Sequence, residues 1–357
     1  MYRLLNGDSN AKLPELSIAA VSVINDCISD STLREVLFGN SLLYAGDVNT
    51  TPFFLHALIV NSYIESSFKV KGSSVQIAKA LGNTIRKYGG SIYRNKKVTA
   101  IHLENDIIQS VTTEDNTTFG GNKFIAAIHP NSIYEMLNTL SIKKISRKRI
   151  SEYPNSTAAF LVNIVLQPNK VPYIPHNIYW TYQSPYNCIN NSNEWPQNYA
   201  IYNTPNQSNP AFAATVSLLT YMDISAFQAF ENTKNTKANQ NDRGVDYRAL
   251  KQHYTELLIN KATQHIPNLK NNIKSFDAAT PLTFKDYMGT KDGSIYGMVP
   301  NYNLPLQSQI STQSKIPNLY FTGQNVNIHG VLGVSITAVS TCGTILGLDN
   351  LLQKIQN

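Results

Sequence analysis

The residues best placed to do chemistry lie near the end of the chain, in IPNLYFTGQNVNIHGVLGVSITAVSTCGTILG at positions 316–347. His329 is the titratable residue within this loop and a candidate general acid, because imidazole exchanges protons near neutral pH. The same position suits a structural histidine equally well. Gly323, Gly330 and Gly333 surround it. Glycine lets a backbone approach a flat ligand, and the free N–H groups that open a following helix favour partial negative charge. Gln324 is a neutral amide that can donate and accept hydrogen bonds.

Such residues need elements to hold them, and the local pattern supplies these. Residues 318–322 are apolar β-formers bounded by Pro317 and Gly323, which predicts a buried strand. Residues 334–348 carry Ser335, Ala338, Ser340, Cys342, Gly343 and Gly347, which predicts a helix able to press close to a sheet or ligand. Strand, glycine loop and helix is how an α/β protein presents backbone to a cofactor. The same pattern also describes a unit that merely packs.

Upstream, residues 13–65 read as helices. Ser17 or Pro14 can open one, Asp30 or Ser31 can cap a second, and Pro52 can open a third. The run 52–60 could line a tunnel for an apolar substrate, although packing explains it too. His56 within it reads as a core histidine before a proton donor. Ser73–Ser74 introduces a helix carrying Ile77, Leu81, Ile85 and Tyr88, ended by Gly89–Gly90. Strands are expected at 91–93 and 98–103. A turn at Asn105–Asp106 leads to another at 107–113, and 124–128 is an apolar run suited to a strand buried on both faces. Between 155 and 279 the pieces 158–166, 177–183, 199–203 and 211–220 predict an antiparallel sheet, with a helix over 246–265. Tyr179, Trp180, Tyr182, Trp195 and Tyr202 there could stack on a conjugated chain or simply pack.

Asn318, Tyr320, Phe321, Thr322, Gly323 and Gln324, followed by His329, Gly330, Val331, Leu332 and Gly333, resemble a known segment. It is the C-terminal flavin-contacting segment of the phytoene desaturase, carotenoid isomerase and retinol saturase family of FAD-dependent oxidoreductases. Thr280–Pro281–Leu282–Thr283 and Gly293–Ser294–Ile295–Tyr296–Gly297 match the same family in order and spacing. The resemblance implies FAD, its ring end met by Gly323, Gln324 and the N–H groups of Leu332, Gly333 and Val334. It also implies that Val98 offers its backbone to the adenine and that Gly293, Ser294, Tyr296 and Gly297 lie on the substrate side. His329 and Tyr296 are then the candidate catalytic residues. The implied substrate is a hydrophobic polyene, a carotenoid or retinoid undergoing desaturation, saturation or isomerisation.

The implied fold is α/β with an α+β insert: an incomplete FAD-binding Rossmann-like domain and an inserted antiparallel-sheet-plus-helix substrate domain. The expected division is a helical part of the substrate domain at 1–66, an FAD-domain segment at 67–140, the substrate domain at 141–285 and a C-terminal FAD-domain segment at 286–357. Family members begin with a βαβ unit bearing Gly-x-Gly-x-x-Gly, whose helix N-terminus binds the diphosphate. That pattern does not occur in this sequence, where Gly7 is solitary. The expectation is therefore a truncated or split form, completed by an N-terminal FAD-binding polypeptide. The alternatives are a flavin-free remnant or partner-binding subunit, and an amine-oxidase-superfamily enzyme with another substrate.

Composition narrows the class further. Of 357 residues only 15% are charged, so a formal net charge of +7 is not the clustered basic face of a nucleic-acid binder. The densest basic run, Lys143, Lys144, Arg147, Lys148 and Arg149, reads as a solvated connector or helix face, with peripheral contact to an acidic membrane surface as the other option. Cys27, Cys188 and Cys342 are three and far apart, which fits neither a disulfide framework nor a metal site and points to the cytoplasm. No apolar run reaches the roughly 18 residues a spanning helix needs, and the polar start lacks a signal-peptide pattern.

Overall fold

The computed structural model describes residues 13–356 apart from 138, 140, 183, 186–194, 238–239 and 327. Cys188 and Gly7 therefore lie outside the described residues. Three helices open the described chain: α1 (Ala20–Cys27), α2 (Ser31–Phe38) and α3 (Phe53–Glu65). Asp30 caps α2, its carboxylate accepting from the Leu33 N–H at 2.7 Å, and Pro52 precedes α3. Neither Ser17 nor Pro14 starts the first long helix. Pro14 falls in the single turn Leu13–Leu16, and α1 begins after Ala19. His56 is buried, bonded to the Tyr44 hydroxyl at 2.7 Å and stacked on Phe38. It is a satisfied core histidine.

Helix α4 (Val75–Lys87) ends where expected, with Gly89 in the left-handed region and the Gly90 N–H bonded to Ile85 O at 2.9 Å. Residues 91–93 form no strand. Strands β1 (Val98–Glu104), β2 (Ile107–Thr113) and β3 (Thr118–Gly120) make an antiparallel sheet. Asn105 and Asp106 both take positive φ, as a two-residue hairpin turn requires. Strand β4 (Phe124–Ala126) leads through His129, whose Nδ1 accepts from the Asn131 N–H, into α5 (Pro130–Met136) and α6 (Lys144–Glu152). The basic run is helix α6, and Arg147 closes the end of α5 by donating to the carbonyls of Tyr134, Leu137 and Thr139.

The insert is a five-stranded antiparallel sheet, β5 (Ala159–Leu166), β6 (Ile178–Thr181), β7 (Asn198–Pro205), β8 (Ala213–Tyr221) and β9 (Ile273–Ala279), in the order β6-β7-β8-β5-β9. The sequence pattern missed β9, an edge strand in which Lys274 and Asp277 interrupt the apolar alternation. Helix α7 (Gly244–Ala262) covers one face with Tyr247, Leu258, Ile259 and Ala262. Trp180 stacks on Tyr199 at 4.8 Å and Trp195 sets its edge against Phe160, so both tryptophans belong to this core. Helix α8 (Pro281–Met288) starts at a Thr280–Thr283 capping box.

Strand β10 (Leu319–Phe321) lies parallel to β4, pairing Leu319 with Phe124 and Phe321 with Ala126. Helices α9 (Gly330–Leu346) and α10 (Leu348–Gln356) complete the chain. The run 124–128 is not buried on both faces: Ile125 is 52% and Ile128 43% exposed. Helix α4 is likewise uncovered, with Val75, Leu81, Ile85 and Tyr88 all exposed and only Gly82 buried.

Candidate functional site

Two segments far apart in sequence meet beyond the end of β10. The strand is fastened at its start by Asn318, whose amide accepts from the Ile108 N–H at 3.0 Å and donates to Ile108 O at 2.8 Å. At its end the Thr341 hydroxyl donates to Phe321 O at 2.9 Å, tying α9 to the strand. Between them the chain turns at Gly323 (φ +89°), beside Ala127 at the end of β4. The tie between α9 and the strand is the Thr341 hydroxyl, whereas Ser335 and Ala338 on the same helix are exposed and Gly343 lies against Leu348.

The helix starts earlier than the sequence pattern indicated. With His329 as its N-cap and Gly330 as its first residue, the Gly333 and Val334 N–H groups enter the hydrogen-bond ladder. The free donors belong to Gly330, Val331 and Leu332. Of the three N–H groups expected to face a ligand, only that of Leu332 keeps this capacity. Gly333 has a packing reason instead, since a Cβ there would collide with Ile328 O.

The second segment, 293–297, is held by Ser294. This fully buried serine accepts from the Gly297 N–H at 2.9 Å and shares a hydrogen bond with the Ser156 hydroxyl at 3.0 Å. Its N–H reaches Asp292, and its carbonyl accepts from Thr290. Ser294 is therefore the knot of the loop. Gly293 and Gly297 both have positive φ, and side chains there would strike Pro281 O and Asn325 Oδ1. The two segments touch directly. Gln324 Nε2 donates to Ile295 O at 3.1 Å, and the Tyr296 ring stacks on His329 with centroids 4.1 Å apart. Tyr296 packs in one small core with Tyr221, which is anchored by donating to Leu42 O at 2.6 Å.

Polar atoms remain unused here. His329 and Asn325 are each 7% exposed, and among the described residues neither His329 Nε2 nor Asn325 Oδ1 has a partner. Burial pushes His329 down to about 4 and raises Tyr296, so both rings are neutral at pH 7. The result is an uncharged aromatic plate beside a helix N-terminus, with one acceptor and one imidazole nitrogen unfilled. This suits a flat, polar-edged ring. Val98 opens β1, paired with Thr113. Sequence reasoning missed Asn325, Ser156 and Tyr221. Each lies in an unremarkable polar or strand context, and only the fold brings them to the loop.

The ring end of FAD fits these residues: glycines at close approach, free helix N–H groups and buried unpaired polar atoms. For the diphosphate, the sequence offers no glycine-rich strand–turn–helix. No family model matches the chain. Among curated proteins it is similar to the all-trans-retinol 13,14-reductase of Danio rerio, 26% identical over 94% of this chain and 58% of that protein. The same enzyme of Homo sapiens is 22% identical with the same coverage. The 4,4'-diaponeurosporene oxygenase of Staphylococcus haemolyticus is 23% identical over 86% of this chain and 60% of that protein.

These similarities accord with the resemblance to the phytoene desaturase, carotenoid isomerase and retinol saturase family. The chain spans 58% of the length of the retinol reductases it matches. It shares its fold with an oxidoreductase from Methanosarcina mazei, at TM-score 0.61 and 13% identity, over 91% of this chain and 68% of that one. Cyclohexylamine oxidase from Brevibacterium oxydans follows at TM-score 0.53 and 9% identity, over 96% and 69%. Among the described residues, no helix is long and apolar enough to cross a membrane.

Proposed function

We propose that this chain forms the flavin-ring side and the substrate domain of an FAD-dependent oxidoreductase acting on a hydrophobic polyene, by desaturation, saturation or isomerisation. The carrying observation is the meeting of 293–297 with 323–333, which sets Tyr296 against His329 beside the α9 N-terminus. The N–H groups of Gly330, Val331 and Leu332, with Asn325 and Gln324, would hold the polar edge of the ring. FAD, when bound, supplies hydride and electron exchange. The stacked Tyr296–His329 pair excludes water on one side and offers His329 Nε2 as the atom that can accept or release a proton. The relatives' names, a retinol reductase and a diaponeurosporene oxygenase, support polyenes as the substrate class.

The phosphate end is assigned to a complementing βαβ polypeptide that docks where this chain leaves apolar surface open. Residues 312–314 occupy the β10 edge of the parallel pair, so a further parallel strand would add at the β4 edge, near exposed Ile125. The apolar stripe of α4 covers its helix. The test is to co-express the full chain with a polypeptide carrying Gly-x-Gly-x-x-Gly, purify the pair and supply all-trans-retinol or a carotenoid. Retained flavin absorbance and a product differing by two hydrogens, or an isomer, support the reading. A pair that co-purifies without flavin rejects it.

A further inference from the structure

The end of β4 backs one wall of the site and also reaches the other. It meets the 323–333 segment directly: the Ala126 carbonyl accepts from the Thr322 N–H at 3.0 Å, and Ala127 lies beside Gly323. Three residues beyond Ala126 stands His129, 5% exposed, at the start of α5. Its two ring nitrogens have different partners. Nδ1 accepts from the Asn131 N–H at 3.2 Å, so in the neutral ring the proton sits on Nε2. Nε2 then donates to Asn155 Oδ1 at 2.9 Å. With its oxygen engaged, Asn155 donates from Nδ2 to Asp292 Oδ2 at 3.1 Å, and Asp292 Oδ1 accepts from the Ser294 N–H at 3.2 Å. A backbone donor at one end and an acceptor-only carboxylate at the other fix the direction of every bond in this relay.

The relay ends on the segment that carries Tyr296. Within that segment the Tyr296 N–H donates to Ser156 Oγ at 3.1 Å, and the Ser156 N–H donates to Gly297 O at 2.6 Å. These bonds shape the loop against residues of the insert and leave its distance from β4 open. His129 sets that distance, from the same strand end that holds Thr322 and Gly323. Two walls referred to one strand end meet in register, which a ring stack with centroids 4.1 Å apart requires.

We propose that His129 is a positioning residue of the site, setting where Tyr296 stands against His329 through Asn155, Asp292 and Ser294. The inference rests on the reading of the Tyr296–His329 pair as a wall of the flavin site. The rival role is a cap on α5 and nothing more. The two nitrogens separate these roles, because asparagine offers an acceptor near the place of Nδ1 but is too short to reach Asn155, whereas glutamine offers an N–H near the place of Nε2.

The experiment uses the full chain with ¹³C-labelled histidine and no flavin. It reads the ring C–H resonances of His329, identified by their absence in His329→Gln, together with the urea midpoint. The face of an aromatic ring shields protons above it, so stacking on Tyr296 displaces these resonances upfield in the unaltered chain. His129→Asn should lose the displacement at a nearly unchanged midpoint, and Asn155→Ala, which leaves the α5 cap alone, should lose it too. His129→Gln should keep the displacement while its midpoint falls. Displacement retained in both His129→Asn and Asn155→Ala overturns the relay, as does its loss in His129→Gln alone. Neither result bears on flavin binding, which the co-expressed pair tests separately. Absence of the displacement from the unaltered chain overturns the stacked wall and the relay together.

Discussion

The five-stranded insert and the region of α4 and β4 leave very different amounts of apolar surface open. In the insert, Phe160, Val162, Tyr199, Leu218 and Leu258 are almost fully enclosed between the antiparallel sheet and α7. In the region of α4 and β4, Leu81 is 61% exposed, Tyr88 80% exposed and Ile125 faces solvent. Topology separates them. The antiparallel sheet pairs neighbouring strands and receives its covering helix from the same stretch of chain, whereas β4 and β10 form only two strands of a parallel arrangement, which is stable when further strands and helices cover it. One region is covered on its apolar faces, while the other encloses the core of Ile108, Ile133, Leu319 and Phe321 yet leaves Leu81 and Ile125 open.

This contrast can be broken most directly in the insert. Phe160→Ala, which removes a ring packed against Trp195, Phe227 and Tyr254, should cost about 3–5 kcal/mol, read as a lowered urea midpoint. Asp286→Ala should cost a similar amount, because it leaves the buried Arg243 guanidinium without its carboxylate.

Next in size is a pH effect at the junction of the two regions. The folded His329 titrates near 4, below the unfolded value, so below pH 6.5 the unfolded chain binds a proton that the folded chain refuses. Stability should fall by roughly 3 kcal/mol between pH 6.5 and about 4, and His329→Gln should lack this part of the slope when urea midpoints are compared across that range. His56, also lowered by burial, titrates in both proteins and cancels in the difference. The smallest effect belongs to α4. Leu81→Ser should change the stability of the chain by less than about 0.5 kcal/mol, yet weaken capture of a complementing βαβ polypeptide in a pull-down. A large destabilisation by Leu81→Ser would show that α4 is packed after all and would remove the contrast.

The periodicity of the chain by itself determined most elements: the Asp30 cap, the Gly89–Gly90 stop, the Asn105–Asp106 hairpin, four of the five insert strands and the strand–loop–helix around His329. These are local decisions, set by backbone preferences and by the spacing of apolar side chains within a few residues. Only the tertiary structure decided that 293–297 lies against 323–333, that Ser294 and Gly333 serve packing, and that α9 begins at Gly330. It also decided that Asn325, Asn177 and His329 keep buried polar atoms unpaired. Whether a buried donor or acceptor finds a partner depends on groups brought in from distant parts of the chain, and no pattern of neighbours along the sequence encodes that.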